Sequence, residues 1–323
     1  IKIMLNNKNI FFKKKILIYG LGKSGLSAYH YLKKNNKIYL FDDKNNLISN
    51  RNIKKNLIRY KDIRIKEFDH IIISPGIDIN KCILSKYLKK NLNIINTDLD
   101  IFYSKYNVNK NITITGTNGK STTVQILYNI LKDQKFDVRL VGNIGNPILL
   151  EKNITRKTIF IIEASSYQLE YSKLFKANFA VILNISPDHL ERHRSLKNYI
   201  KSKFKLIKNQ NSKDIAFLNT KNLYIKKELK NNKISSKIIR INKSINLKFL
   251  EKINNPYLLT EGNRENLSFA VEIVKKFKIK KKIFLKTLKN FKGLKYRQQI
   301  IYNSKNLTII NDSKATSYSS SIS

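Results

Sequence analysis

Glycine is scarce in this chain, and its few positions constrain the fold more than any other feature. The 323 residues contain ten glycines, and seven of them fall in three short clusters, at 20–25, 116–119 and 142–145. Glycine is favoured where a Cβ has no room or where the backbone φ is positive. Each cluster therefore marks a tight turn. The first two turns stand between an apolar run and an amphipathic run, which predicts strand–turn–helix units and an α/β fold.

The first cluster predicts a nucleotide-binding turn. The sequence GLGKSG over 20–25 matches G-x-G-x-x-G and stands between a predicted strand, 16–19, and a predicted helix, 24–32. Such a turn lets the backbone N–H groups at a helix N-terminus face a phosphate. The pattern alone fits an NAD site, a site for another nucleotide, or a close-packed turn with no ligand.

Three further strands are predicted to complete this first unit, over 37–41, 70–73 and 92–95. The first of them ends in Asp42 and Asp43, at the spacing where a dinucleotide-binding fold places its ribose-binding acid. The unit has about 100 residues, which is the size of an ordinary domain.

The second cluster predicts a phosphate-binding loop. The sequence GTNGKST over 116–122 lies between an apolar strand and an amphipathic helix. Small residues expose backbone N–H groups to phosphates, Lys120 can reach β- and γ-phosphate oxygens, and Ser121 can bind Mg²⁺. The strict G-x-x-x-x-G-K-[ST] motif is not met, because Ile114 stands where its first glycine belongs. The flanking strand and helix argue against a chance G-K-S in a lysine-rich chain.

Two later strand ends carry residues suited to a metal. Glu163 closes the apolar run IFIIE, and Asp188 and His189 follow the run AVILNI. Carboxyl ends of parallel strands present functional groups, and a carboxylate there could hold the Mg²⁺ of an ATP site. The alternatives are a salt-bridged or helix-capping Glu163 and a surface His189. If the two strands are neighbours, His189 lies beside Glu163.

The charge of the chain does not identify a partner. Lys and Arg number 64 against 22 Asp and Glu, a formal net charge of +42, but only ten of the 64 are Arg. Proteins that read nucleic acid more usually use Arg, whose planar guanidinium binds phosphate and guanine bidentately. Lys, Asn and Ile all have A/T-rich codons, so compositional drift explains the excess, including its densest patch at 275–282.

Two classes of protein are excluded by simple counts. The single cysteine, Cys82, excludes a disulfide framework and a cysteine-rich zinc site. No apolar run approaches the roughly 20 residues of a membrane span, and no signal-peptide pattern opens the sequence. We therefore expect a cytoplasmic protein.

Five motifs together resemble the Mur ligase family: GTNGKST (116–122), GNIG (142–145), EASSYQLE (163–170), NISPDHLERH (184–193) and NDSKAT (311–316). The last is similar to the motif of the family members that add D-glutamate. Folylpolyglutamate synthases share the short phosphate loop but carry it near the N-terminus, whereas here it begins at residue 116. The similarity extends from about residue 15 to residue 316, nearly the whole chain.

The resemblance implies three α/β parts. These are a Rossmann-like domain for the UDP substrate over 1–107, a P-loop-type ATP-binding domain over 108–294, and the beginning of an incomplete C-terminal ligase domain over 295–323. The family continues for about 100 further residues, an ordinary domain. We therefore expect a truncated copy that binds nucleotide but turns over poorly or not at all.

The implied reaction is the ATP-dependent addition of D-glutamate to UDP-N-acetylmuramoyl-L-alanine, in cytoplasmic synthesis of peptidoglycan precursors. An acyl phosphate forms on the L-alanyl carboxylate, and the D-glutamate amine displaces phosphate from it. ATP and Mg²⁺ are the implied cofactors, and the two small molecules are the implied partners of a monomer that binds neither nucleic acid nor membrane. Four alternatives stay open: another Mur or folylpolyglutamate-type ligase, a nucleotide-binding fragment, an oxidoreductase using the 20–25 turn, and a nucleic-acid-binding NTPase.

The resemblance also implies roles for individual residues. Residues expected in catalysis are Lys120, Glu163, His189 and Lys203, and those expected at the metal are Ser121, Glu163, His189 and Lys203. Residues expected to bind nucleotide are Gly116, Thr117, Asn118, Gly119, Lys120, Ser121, Thr122, Asn263, Asn266, Arg297 and Asp312. Residues expected to bind the other substrates are Lys23, Ser24, Asp42, Asp43, Ser74, Pro75, Gly76, Asn143, Lys314 and Thr316. Lys203 stands in the family's Tyr-x-x-x-Lys pattern, which implies that it is carbamylated.

The chain departs from the family pattern at three places. The family's G-x-H-N-x-x-N is TEGNREN here, over 260–266, and its G-L-x-H-R is GLKYR, with Tyr296 in place of His. The residue after the NDSKAT motif is Ser317, where the family has Asn. These changes fall at the junction of the second and third parts, away from the residues expected at the metal.

Overall fold

The computed structural model describes residues 10–44, 51–242, 245, 247–304 and 306–314. Two parallel sheets and one antiparallel hairpin organise this part of the chain into a mixed α/β fold. None of its helices is both long enough and apolar enough to cross a membrane.

The first sheet has four parallel strands in the order β2-β1-β3-β4. Its strands are β1 (Lys15–Tyr19), β2 (Lys37–Phe41), β3 (His70–Ile73) and β4 (Ile95–Asn96). Its helices are α1 (Lys23–Leu32), α2 (Arg51–Lys54), α3 (Tyr60–Ile63) and α4 (Ser85–Lys90), and α5 (Asp98–Tyr106) follows it. The first three strands are near-continuous runs of Ile, Leu, Tyr and Phe because helices and loops cover both faces of a parallel sheet.

The predicted first unit is correct in three of its four strands. The fourth prediction was wrong in extent: residues 92–94 form a turn of 3₁₀-helix, and the strand is only Ile95–Asn96. The turn after β1 is as tight as the glycines indicate. Gly20 has a φ of +90°, and a Cβ on Gly25 would lie 1.8 Å from the Gly20 carbonyl oxygen. Helix α1 therefore packs directly on the end of the strand.

The second sheet has six parallel strands in the order β10-β9-β8-β5-β7-β6. Its strands are β5 (Asn111–Thr115), β6 (Val138–Gly142), β7 (Ile159–Glu163), β8 (Phe179–Ile182), β9 (Ile215–Leu218) and β10 (Lys237–Arg240). Its helices are α6 (Lys120–Asp133), α7 (Ser166–Tyr171), α8 (Leu190–His193), α9 (Leu196–Lys208), α10 (Leu223–Asn231), α11 (Leu247–Ile253), α12 (Pro256–Leu259), α13 (Glu261–Val274) and α14 (Lys281–Lys289).

The order of these strands corrects one expectation. Strands β7 and β8 are not neighbours, because β5 lies between them and pairs with both. Since all three strands are parallel, their carboxyl ends still meet at one edge of the sheet. Glu163 and the loop that carries His189 therefore lie on either side of the phosphate-type loop that follows β5.

The chain after α14 forms an antiparallel hairpin of β11 (Gln299–Asn303) and β12 (Thr308–Asn311). Several of its apolar side chains are about half exposed, namely Ile301, Tyr302, Leu307, Ile309 and Ile310. The hairpin carries Asp312 and Lys314 at its end, where they reach the second sheet's carboxyl edge.

Helix α5 joins the two sheets through a buried carboxylate, Asp100, which is fully inaccessible to solvent. One of its oxygens accepts hydrogen bonds from the Ser172 hydroxyl at 2.8 Å and from the backbone N–H groups of residues 173–175 at 2.8–3.1 Å. The other oxygen accepts from the Thr97 backbone N–H at 3.0 Å and so caps α5. One side chain thus binds its own helix and the segment leading to β8.

A second carboxylate on the same helix repeats the connection. Asp98 is buried and accepts from the Gln168 side-chain amide on α7, at 3.3 Å to each oxygen. Burial raises the pKa of Asp98, and hydrogen bonds from Gln168, the Leu99 backbone and Ser24 oppose that shift. Asp98 therefore contacts α1 of the first sheet and α7 of the second at once.

We predict that Asp100→Asn destabilises the fold by about 3 kcal/mol, because an amide replaces one acceptor oxygen by donors that face buried N–H groups. Urea unfolding followed by circular dichroism measures the change. The matched control is Asp62→Asn, an exposed acid paired with Arg59 on the surface, which should leave the unfolding midpoint in place. A shift for Asp100→Asn no larger than that of the control contradicts the prediction.

Candidate active site

A cleft of about 370 Å³ opens where the carboxyl ends of β5, β7 and β8 meet. The loop after β5, the strand-end residue Glu163, the loop around His189, helix α13 and the end of the hairpin all contribute to its wall. The predicted residues that line it are Pro75, Thr117, Asn118, Gly119, Lys120, Ser121, Thr122, Asn143, Glu163, His189, Lys203, Asn263, Asn266, Arg297, Asp312 and Lys314. One concavity thus contains nearly all the residues predicted for nucleotide and metal.

The loop between β5 and α6 is a tight turn that leads into the N-terminus of α6. Gly119 has a φ of +81° at the start of α6, and a Cβ there would lie 2.0 Å from the Asn266 side-chain oxygen, so any other residue would strain the backbone and displace Asn266. The Lys120 Nζ donates to the carbonyl oxygens of Gly116 at 2.9 Å and Thr117 at 2.7 Å. Burial lowers the pKa of Lys120, although the Glu163 carboxylate opposes that shift.

Asn184, at the end of β8, holds this loop in shape. Its side-chain oxygen accepts from the backbone N–H groups of Thr117 at 3.1 Å and Asn118 at 2.9 Å. The Thr117 hydroxyl lies 3.1 Å from the Tyr199 hydroxyl and donates to the Ser186 carbonyl at 3.2 Å. The loop conformation is therefore set by side chains from the neighbouring strand end and from α9. Sequence reasoning assigned Asn184 no role, and its place after an apolar strand is the signal that could have found it.

Glu163 presents a buried carboxylate oxygen to the cleft. The side chain is fully buried; one oxygen accepts from the Asn143 amide at 2.9 Å, and the other has no hydrogen-bond partner among the described residues. The backbone of β6 at Gly142 packs closely against that of Glu163, since a Cβ on Gly142 would lie 2.3 Å from the Glu163 carbonyl oxygen. A buried carboxylate oxygen without a hydrogen-bond partner lowers the free energy of unfolding. A divalent cation bound to that oxygen would offset this loss of stability.

The donor set around Glu163 fits a hard cation. Ser121 and His189 line the same cleft. Among the described residues no group of three or more His, Cys, Asp or Glu side chains could hold a metal. Mg²⁺ suits this arrangement because it is usually held by one or two protein carboxylates together with water and substrate phosphate oxygens.

Lys203 is a buried lysine that forms no ion pair among the described residues, although the charge of Asp188 acts to raise its pKa. It is 1% exposed, its Nζ donates to the Gly116 carbonyl oxygen at 2.7 Å, and it lies 4.5 Å from the centre of the Tyr199 ring. Burial, together with the charge of Lys120, holds the pKa of Lys203 well below its ordinary value of 10.5. Its side chain therefore gives up a proton more readily than an exposed lysine does.

His189 occupies a strained backbone position at the start of α8, with a φ of 53°. Its ring packs 5.1 Å from the Tyr167 ring and 6.3 Å from the Tyr199 ring, measured between centroids. The Nε2 atom lies 3.4 Å from the Asp188 carboxylate. Two aromatic rings and a carboxylate thus orient the imidazole at the cleft wall.

The far end of the cleft is built from α13 and the hairpin. Asn263 donates to the Tyr257 carbonyl at 2.8 Å and contacts the Gln298 side chain at 3.3 Å. One oxygen of Asp312 accepts from the Gln298 backbone N–H at 3.0 Å. Its other oxygen is buried without a hydrogen-bond partner in the described part of the chain. The predicted Thr316 lies outside the described residues.

The residues predicted around the 20–25 turn are placed differently. Lys23, Ser24, Asp42, Asp43, Ser74 and Gly76 are absent from the lining of the cleft, and Pro75 is the member of this group that reaches it. Three of them hold the turn together instead. Asp42 accepts from the Leu21 backbone N–H, Asp43 accepts from the Tyr19 hydroxyl, and the Ser74 hydroxyl donates to the Gly20 carbonyl, each at 2.6 Å.

The chain is similar to known proteins in sequence. The model of the Mur ligase middle domain matches residues 114–280, and that of the MurD-like Mur ligase N-terminal domain matches residues 14–96. The UDP-N-acetylmuramoylalanine--D-glutamate ligase of Rickettsia bellii is 33% identical over 94% of this chain and 72% of its own length. The protein of that name from Buchnera aphidicola is 36% identical over 96% of this chain and 74% of its own.

The fold is also that of a solved structure. The crystal structure of UDP-N-acetylmuramate:L-alanyl-gamma-D-glutamyl-meso-diaminopimelate ligase from Neisseria meningitides has a TM-score of 0.58, and the match covers 88% of this chain and 99% of that one. At 14% identity this likeness shows the fold alone. Taken with the two family-model matches and the relatives above 30% identity, it leads to one conclusion: the chain belongs to the Mur ligase family, in the branch of the UDP-N-acetylmuramoylalanine--D-glutamate ligases.

Proposed function

We propose that the chain adds D-glutamate to UDP-N-acetylmuramoyl-L-alanine with ATP, as a cytoplasmic, monomeric enzyme of peptidoglycan precursor synthesis. The observation that carries this proposal is the unpaired buried oxygen of Glu163, which faces the same cleft as the 116–122 loop. A metal-binding carboxylate beside a phosphate cradle is the arrangement that phosphoryl transfer needs. We also propose the three-part division of the chain at 1–107, 108–294 and 295–323, with a Rossmann-like first part and a P-loop-type second part.

The 116–122 loop would receive the ATP phosphates. Its backbone N–H groups lie at the N-terminus of α6, where partial positive charge favours an anion. Lys120 would exchange its two carbonyl acceptors for phosphate oxygens. Asn263, Asn266, Arg297 and Asp312 would also contact the nucleotide, because they line the same cleft.

Ser121, Glu163, His189 and Lys203 are the residues that would hold Mg²⁺. When bound, the metal neutralises phosphate charge that Lys120 alone cannot balance. Asn143 would keep Glu163 in place through its 2.9 Å hydrogen bond.

We further propose that Lys203 is carbamylated. A neutral primary amine attacks CO₂, forming an N–C bond and releasing a proton, and burial lowers the pKa of this amine, which makes its neutral form easier to reach. The product is an anion that could bind a metal, whereas an ammonium could not. Lys203 and His189 line the same cleft, and the two would bind the same metal.

The reaction itself requires positioning more than covalent assistance. The γ-phosphoryl group leaves ADP and bonds to the L-alanyl carboxylate, giving an acyl phosphate. The D-glutamate amine then attacks the carbonyl carbon, the C–O bond to phosphate breaks, and the nitrogen loses a proton. Lys314 and Thr316 would bind D-glutamate. Pro75, with the 20–25 turn and its neighbours Lys23, Ser24, Asp42, Asp43, Ser74 and Gly76, would bind the UDP moiety.

We predict that Lys120→Met weakens ATP binding at least about tenfold, because one charge-assisted phosphate contact is lost. Isothermal titration calorimetry with the full chain measures the dissociation constant. The control is Lys132→Met at the opposite end of the same helix, where the ammonium is exposed near Tyr128. Equal affinities in the Lys120 and Lys132 variants would rule out the proposed cradle.

We predict that Glu163→Gln abolishes the dependence of ATP binding on Mg²⁺ while leaving metal-free ATP binding within about twofold of the parent chain. The amide keeps the size of the side chain but removes the charge. Glu272→Gln, a surface acid paired with Lys275, is the control. Retention of the full Mg²⁺ effect in Glu163→Gln would remove Glu163 from the metal site.

Activity is tested by phosphate release from ATP in the presence of UDP-N-acetylmuramoyl-L-alanine, with and without D-glutamate. The proposed function predicts release that depends on D-glutamate and is lost in Lys120→Met. Nucleotide binding without such release would refute the activity and leave the nucleotide site intact. Release stimulated by DNA, or thermal protection by NAD, would favour the alternatives raised by the sequence.

A further inference from the structure

A buried ion-pair contact joins the first sheet to the loop that carries His189. Arg192 lies on α8 and is 8% exposed. Its guanidinium lies 3.4 Å from the carboxylate of Asp78, which stands in the loop after β3, three residues beyond Pro75. Arg192 is not among the described residues that line the cleft. Arg192 therefore connects the loop after β3 to α8 without lining the cleft itself.

The same guanidinium binds the second sheet. It lies 3.6 Å from the Glu170 carboxylate and 5.3 Å from the centre of the Tyr167 ring. The Tyr167 ring in turn packs on His189 at 5.1 Å and stacks on His193 at 5.5 Å. The Tyr167 ring thus contacts both the Arg192 guanidinium and the imidazole of His189.

This cluster is charged, buried and incompletely hydrogen-bonded. Arg192 Nη1, Glu170 Oε2 and His193 Nδ1 are all buried without a hydrogen-bond partner among the described residues. Each single ion pair is longer than a hydrogen bond, so the guanidinium is held by the sum of two carboxylates and an aromatic face. If the carboxylate of either Asp78 or Glu170 is removed, we expect the Arg192 guanidinium to move toward its remaining contacts.

The position of Arg192 affects that of His189 through the backbone of α8. The helix has four residues and is bounded by two left-handed residues, His189 with a φ of 53° and Arg194 with a φ of 68°. Such conformations are costly for residues with a Cβ and persist where surrounding contacts hold them. The backbone N–H groups of Arg192 and His193 both donate to the His189 carbonyl, at 3.1 and 3.0 Å. Arg192 is the part of this short helix that the first sheet anchors.

We propose that Arg192 is a positioning residue: by pairing with Asp78 it sets His189 relative to the turn at 74–78. In this way the substrate end of the cleft and its metal end are kept at a fixed distance. The inference rests on the proposed function for the meaning of that distance, but the link from Asp78 through Arg192 to His189 is a property of the fold.

The link is tested without any ligand by NMR of the histidine ring signals in the full chain. The sequence has four histidines, at 30, 70, 189 and 193. Asp78→Asn and Arg192→Met should both shift the signals of His189 and His193 and leave those of His30 and His70 in place. The control is Asp43→Asn, which alters a different acid of the first sheet, bound to Tyr19. An unchanged His189 signal in both Asp78→Asn and Arg192→Met would overturn the proposal.

The functional consequence is tested with Mn²⁺ as the probe, by electron paramagnetic resonance in the presence of ATP. Asp78→Asn and Arg192→Met should weaken Mn²⁺ binding about tenfold, the usual effect of losing a residue that orients a metal ligand. Metal-free ATP binding should stay within about twofold. Arg192→Lys keeps the charge and should recover part of the loss. Equal weakening of Mn²⁺ and ATP would indicate a general structural role and overturn the proposal.

The two measurements separate this inference from the proposed function. Absence of Mn²⁺ binding in the parent chain would refute the metal site itself, and the histidine signals would still decide whether Asp78 positions His189.

Discussion

The cleft depends on the carboxylate of Asp100, because that group fixes where the second sheet stands relative to the helix that leaves the first. A buried carboxylate is stable only when its oxygens are hydrogen-bonded, and here one oxygen receives the Ser172 hydroxyl and three consecutive backbone N–H groups. Those donors precede β8, the strand whose end carries Asn184 and, further on, His189. The hydrogen bonds of one acid therefore help to place Asn184, whose side chain binds the 116–122 loop.

The cleft is built from a few side chains that reach across elements. Asn184 ties β8 to the loop after β5, Asn143 ties β6 to Glu163, and Arg192 ties α8 to the first sheet. Each contact fixes one wall of the cleft relative to another. The many surface lysines make none of these three contacts. The formal charge of +42 therefore reflects the surface and gives no information about the site.

Local features of the fold could be predicted from the sequence, and long-range ones could not. The tight turns at Gly20 and Gly119 were predicted because a positive φ and a lack of room for a Cβ both favour glycine at that single position of the sequence. The order of β7, β5 and β8 was not, since the same strand and helix signals fit several arrangements. Residues 92–94 were predicted as strand because an apolar run cannot by itself be told from a 3₁₀ turn.

The candidate site shows the same division. Lys120 and Ser121 were predicted because the GTNGKST motif follows a strand, and Glu163 because it ends one. The structure places all three at the cleft. Asp100 and Asn184 were missed for opposite reasons. An acid in the first turn of a helix has the pattern of an exposed cap, and in an asparagine-rich chain one more Asn carries little information.

The carbonyl oxygen of Gly116 accepts from two lysines, Lys120 at 2.9 Å and Lys203 at 2.7 Å. An acceptor with two donors can release one and stay satisfied. When a phosphate draws Lys120 away, Lys203 continues to satisfy the Gly116 carbonyl, whereas the Thr117 carbonyl loses the donor that lies 2.7 Å from it. If Lys203 becomes an anion, the roles reverse and Lys120 becomes the donor that remains. The Gly116 carbonyl can therefore lose either one of its two lysine donors and remain hydrogen-bonded to the other.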